Sequence, residues 1–150
     1  MVEGTTEEQI AKIKASVGAE AEPFTYEVEK GAIRKFAVAV GDPNPLWQDE
    51  AYARKTRYGG IIAPPTFLRL FRPAKFPVET PYSRRLDAGS EWEYFEPVRP
   101  GDRITGTVKL AGAAEREGRI GKMLILVWEI TYKNQFAEVV ATQRSTLITY

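Results

Sequence analysis

The stretch "MLILVWEITYKN" (residues 123–134) decides the fold. Leu124, Leu126, Trp128, Ile130 and Tyr132 recur at every second position, the spacing of a strand with one buried face. Downstream, "NQ" turns the chain into a last strand, "FAEVVATQRSTLITY". Upstream, "EREGRIGK" reads as a polar turn with two glycines, and "RITGTVKLAG" places Ile104, Val108 and Leu110 on one side of another strand. Before a "PGD" turn lies "GSEWEYFEPV", a strand with Trp92 and Tyr94 on one face. Short turns between successive strands imply antiparallel neighbours. These aromatic residues are expected in the sheet-face core or at a dimer contact.

The first half of the chain has a different period. Residues 5–17 suit a short amphipathic helix: Thr5 or Thr6 offers a cap, Glu7 and Glu8 favour the positive helix end, and Ile10, Ile13 and Val17 share a face. "FTYEVEK" alternates as a short strand, and "KGAIRKFAVAVG" is a helix stopped by Gly41. "PTFLRLF" reads as a helix entered through prolines, which the first turn tolerates. Three prolines in "RPAKFPVETPY" forbid its continuation and make residues 72–82 an irregular flap. Helices with an antiparallel sheet give an α+β fold in one domain over residues 1–150, with 1–21 as an N-terminal helical extension.

Composition narrows the chemistry. A net charge of +1 gives no footprint for nucleic acid or an anionic membrane, and 43% hydrophobic with 27% charged residues is ordinary for a globular protein. With no cysteine and no histidine there is no thiol catalysis, and a zinc site is not expected. No apolar run is long enough to span a membrane and the N-terminus lacks the order of a signal peptide, so the cytoplasm is the expected location.

Three blocks in order, "FAVAVGDPNPLWQDEAYA", "GGIIAPPTFL" and "EPVRPGDRITGTVKL", resemble the MaoC-like hydratases and dehydratases of the hotdog superfamily. The resemblance covers roughly residues 22–149 and is closest to the N-terminal, FAS1-like dehydratase domain group. It implies a single hotdog fold, a curved antiparallel sheet wrapped around a central helix. Here that helix would begin near Pro65 and run through Phe67, Leu68, Leu70 and Phe71. It further implies edge-to-edge pairing into a double hotdog, with an acyl-thioester tunnel at the interface.

Active members of the family carry Asp-x-Asn-Pro-Leu-His, an acid/base pair for adding water across a 2-enoyl thioester. An imidazole is well matched to neutral pH, whereas an ordinary carboxylate near pKa 4 is not. The thioester oxygen is held by a backbone N–H at the start of the central helix. Asp42 and Asn44 match the motif, but Trp47 stands at the histidine position, and an indole cannot accept a proton. The family's helix-start glycine falls opposite Pro64 or Pro65, which have no N–H.

This double loss leads to the expectation of a non-catalytic, substrate-binding subunit of an enoyl-thioester hydratase or 3-hydroxyacyl dehydratase. Its partner would be a second hotdog chain bearing the Asp/His pair, and its ligand an acyl-CoA or acyl-carrier thioester, with no cofactor and no metal. The resemblance places Trp47, Ile62, Ala63, Pro64, Pro65, Thr66 and Phe67 beside the substrate, with Arg54, Lys55 and Arg57 available to the phosphates of coenzyme A or a carrier protein. Asp42 and Asn44 remain as a vestigial motif, and "DPNP" is turn-like on composition alone. Two other readings stay open. One is a homodimeric hydratase or thioesterase using Asp42 as sole acid/base, with Thr66 supplying the amide. The other is an acyl-binding regulator or scaffold.

Overall fold

A computed structural model describes residues 4–150. Strands β1 (Phe24–Glu27), β2 (Arg85–Tyr94), β3 (Arg103–Gly118), β4 (Gly121–Lys133) and β5 (Val139–Thr149) form one sheet in the order β1-β3-β4-β5-β2. Every pairing is antiparallel. Helices α1 (Thr6–Ala15), α2 (Lys30–Ala39) and α3 (Glu50–Arg54) precede β2.

The alternation in β4 sets the inner face. Leu124, Leu126, Trp128, Ile130 and Tyr132 are all buried, and Ile104, Val108 and Leu110 of β3 join them in one core. On the outer face, Lys109, Glu129, Arg144 and Glu91 stand opposite one another across four strands. Arg144 pairs with Glu129, and Lys109 lies 3.7 Å from the same carboxylate. Exposed pairs of this kind add little stability, but they keep that face solvated.

Local signals hold where the sequence placed them. Thr5 and Glu8 form a reciprocal capping box on α1, whose Ile10 and Ile13 reach the core, while Val17 is left exposed beyond the helix. Asp49 caps α3 through the Tyr52 N–H at 3.0 Å. The "EREGRIGK" segment is more ordered than a polar turn: β3 continues to Gly118 and β4 resumes at Gly121, because the ladder extends to that pair. Gly121 takes φ 101, which suits glycine in so tight a reversal.

The larger departure concerns the central helix. Pro65–Leu70 is a 3₁₀ helix of six residues, closed by Phe67 N–H to Pro64 C=O at 2.9 Å and Phe71 N–H to Leu68 C=O at 3.0 Å. Pro64 and Pro65 remove two donors at its start, and Pro73 pushes Arg72 out of helical backbone geometry just after it. The tight i→i+3 pattern is seldom sustained beyond a few residues, so no long helix forms there. Phe67, Leu68 and Phe71 still reach the core.

Gly106 is fixed by packing. It pairs with Phe24, whose ring lies over it so closely that a Cβ would meet Phe24 Cζ at 2.0 Å. That ring also packs against Tyr26 and Tyr132, at 5.7 and 6.3 Å between centroids. Gly106→Val is therefore expected to expel the ring and cost roughly 1–3 kcal/mol in urea denaturation. A variant as stable as the parent would show that the ring has somewhere else to go.

Candidate active-site loop and inner-face cavity

The loop after α2 is built by its own polar side chains. Gly41 (φ 70) ends the helix, and the Asp42 N–H donates to Ala37 C=O at 2.9 Å. Asp42 Oδ1 then accepts from the Asn44 N–H at 3.0 Å, and Asn44 Oδ1 from the Leu46 N–H at 3.0 Å. Each side chain spends an oxygen on shaping the next turn. The result is a 3₁₀ turn, Pro45–Trp47, that swings Trp47 into the core at 8% exposure. Its indole N–H is the one buried side-chain polar atom without a hydrogen-bond partner among the described residues.

From here the chain passes through the core. Arg99 donates to Tyr58 C=O at 2.7 Å and the Ala63 N–H to Val98 C=O at 2.7 Å, seating Ile61, Ile62 and Ala63 below 10% exposure. Pro64 is buried with them, whereas Pro65 and Thr66 are exposed. Phe67 stands edge-on to Phe36 and to Phe71. Arg54, Lys55 and Arg57 are exposed. The Arg57 guanidinium is engaged by its neighbour, donating to the Tyr58 hydroxyl at 2.7 Å and lying 4.9 Å from that ring.

A cavity of about 500 Å³ opens on the inner face, between the sheet and the segment that follows the 3₁₀ helix. Leu126, Trp128, Ile130 and Leu147 form its apolar floor, and Phe71, Phe76 and Val78 its roof. Phe76 lies 4.9 Å from the Trp128 ring. None of Trp47, Ile62, Ala63, Pro64, Pro65, Thr66 or Phe67 is in the lining.

The cavity residues escaped sequence reasoning, although a signal was present. Strand β5 places Gln143 and Ser145 at inward positions, opposite Ile130 and Trp128. Polar residues where the alternation demands apolar ones mark a wetted wall rather than plain core.

At the cavity edge, the Arg69 guanidinium donates to Asp87 Oδ2 at 2.9 Å and the Gly89 N–H to Asp87 Oδ1 at 2.9 Å. The Gly89 amide, then Arg69, holds the Asp87 carboxyl below the usual carboxylate range. The folded chain thus binds this proton more weakly than the unfolded one. The contact is fully present above the ordinary Asp pKa, near 4, and is lost as pH falls through the lowered value. The Gly89 amide resonance is expected to titrate below pH ~4 in the parent and to be flat there in Asp87→Asn. Titration at the ordinary carboxylate position would refute the pairing.

A five-stranded antiparallel sheet with its helices packed on one face defines an α+β hotdog. The chain belongs to the family described as "FAS1-like, dehydratase domain region", whose model matches residues 15–143, and so to the MaoC-like hotdog dehydratases. It is 44% identical over 89 residues to a UPF0336 protein of Streptomyces avermitilis, a match covering 55% of this chain and 59% of that relative. The chain thus spans about three-fifths of the length of the Streptomyces relatives it matches. It is 26% identical over 138 residues to a Thermomonospora curvata protein named "Probable enoyl-CoA hydratase alpha subunit", covering 79% of this chain and 43% of that one. Among solved structures, the ChsH1-ChsH2 complex of Mycobacterium tuberculosis contains a chain with a TM-score of 0.78 at 21% identity, covering 97% of this chain and 90% of that chain. The last is a likeness of fold. No helix among the described residues is long and apolar enough to cross a membrane.

Proposed function

We propose that this chain is the substrate-binding, non-catalytic subunit of an enoyl-thioester hydratase or 3-hydroxyacyl-thioester dehydratase, shaping an acyl site for a partner hotdog that carries the Asp/His pair. The observation that carries the reading is Trp47. A buried indole occupies the position where the family's chemistry needs a proton acceptor. Asp42, the remaining motif carboxylate, is engaged in holding Asn44 in its turn. Pro64 and Pro65 stand at the family's oxygen-binding position without an N–H between them.

The cavity supports the binding half of the reading. Its volume falls in the ~300–1,000 Å³ range usual for small-ligand sites, and its floor is apolar. A partner is supported by the long edge strand β2, paired only on the β5 side, with Leu86 and Tyr94 exposed. A complex of two differently named subunits among the fold neighbours, and a relative named as an alpha subunit, point the same way.

Co-expression with a hotdog chain bearing Asp-x-Asn-Pro-Leu-His tests the reading. Native mass spectrometry is expected to show a one-to-one complex that hydrates enoyl-CoA. A homodimer that ignores the second chain, with or without turnover, would reject it.

A further inference from the structure

The cavity wall carries a directional chain of hydrogen bonds. The Tyr132 hydroxyl donates to Gln143 Oε1 at 3.3 Å, Gln143 Nε2 to Ser90 Oγ at 3.1 Å, and the Ser90 hydroxyl to Ser145 Oγ at 3.2 Å. A hydroxyl has one hydrogen and an amide nitrogen two. The Ser145 hydrogen and the second Gln143 hydrogen are therefore unspent, with no acceptor among the described residues. Tyr132, Gln143 and Ser145 all line the cavity.

The charges around the opening are unbalanced in the same sense. Arg69 is committed to Asp87. Arg72 donates only to Arg69 C=O at 3.4 Å, and Arg72, Lys75 and Arg85 form no salt bridge among the described residues. Glu79 is the single acid of the lining left to answer these three cations. Burial raises the Tyr132 phenol well above its ordinary range, and the guanidinium charges of Arg72 and Arg69 reach it in opposition. The phenol stays a donor, and Arg72 lines the same cavity as Tyr132, Gln143 and Ser145.

We infer that the cavity accommodates an acyl group bearing a carboxylate remote from its thioester, with the apolar body on Leu126, Trp128 and Phe76 and the carboxylate on Ser145, Gln143 and Arg72. This rests on the acyl-thioester reading above. A neutral ketone can accept from the same donors but leaves the Arg72 charge unanswered. The phosphates of a pantetheine thioester are separated from the acyl group by the whole pantetheine arm, so an acyl group lying in this cavity keeps them away from its wall.

Isothermal titration of the full chain with octanoyl-CoA, 7-oxooctanoyl-CoA and suberyl-CoA tests the assignment. Suberyl-CoA is expected to bind about tenfold tighter than octanoyl-CoA, the worth of a charge-assisted hydrogen bond, with the ketone between them. Arg72→Gln, an exposed position, is expected to erase most of that preference, and Ser145→Ala to reduce it. Equal binding of octanoyl- and suberyl-CoA, or a preference that survives Arg72→Gln, overturns the inference alone. Equal binding of ketone and carboxylate overturns the choice of an anion. Failure of all three thioesters to bind removes the proposed function together with it.

Discussion

The purified chain is expected to hydrate crotonyl-CoA and decenoyl-CoA no faster than buffer does, and Trp47→His alone is expected to leave it there. A positioned general base is worth ~10²–10⁴ in rate, and a preorganised oxyanion donor ~10²–10³. On the function proposed above, the first deficit lies at Trp47, buried with a donor-only nitrogen. The second lies at Pro64 and Pro65, where a new imidazole supplies no amide. If the two losses are independent they multiply, so repairing one still leaves a rate about a hundredfold or more below a complete site. Loss of the conjugated enoyl absorbance, followed with and without the partner chain, makes the measurement. Turnover by the isolated chain that disappears in Asp42→Ala would defeat this expectation and favour a lone-carboxylate enzyme.

Phe67→Ala is expected to cost ~3–5 kcal/mol in urea denaturation, a large part of the ~5–15 kcal/mol that holds a domain together. Phe67 is 1% exposed and makes edge contacts to Phe36 at 5.7 Å and Phe71 at 5.3 Å. A longer central helix would spread its anchoring over several turns. In this chain the 3₁₀ segment is anchored by Phe67, Leu68 and Phe71, and losing the middle ring of three in edge-to-face contact leaves a cavity its short backbone is poorly placed to fill. The exposed neighbours Thr66 and Leu70 serve as controls, and Thr66→Ala is expected to change stability by no more than about 0.5 kcal/mol. A Phe67→Ala variant within 1 kcal/mol of the parent would mean that the segment is not held by this ring.

Strands and caps were legible because their signals are local. The period of two in residues 124–132 names its buried face without knowing what covers it, and Thr5 announces a helix start within one turn of itself. The departures from the family motif that the proposed function invokes need no fold to be read, since an indole and a prolyl nitrogen keep their chemistry in any fold. The helix expected from residue 65 begins there, and differs in type and length where two local rules compete. Proline suits a first helical turn, but two at the start and a third just beyond the end leave room only for a 3₁₀ segment.

Residues 124–132, read alone, named the buried aromatic and aliphatic face of one strand; the short turns around it and the helical first half of the chain added an antiparallel α+β fold, and residues 42–47 carry the resemblance on which the proposed loss of the base rests. Tertiary structure decided that the Phe24 ring occupies the place of a Gly106 side chain, that Trp47 is buried, and that Gln143 and Ser145 come together with Arg72 and Phe76 in the lining of one cavity. The physical reason is sequence separation. Side-chain period and capping act over a few residues, whereas these meetings join positions some seventy to eighty apart, fixed only when the strands choose partners and register.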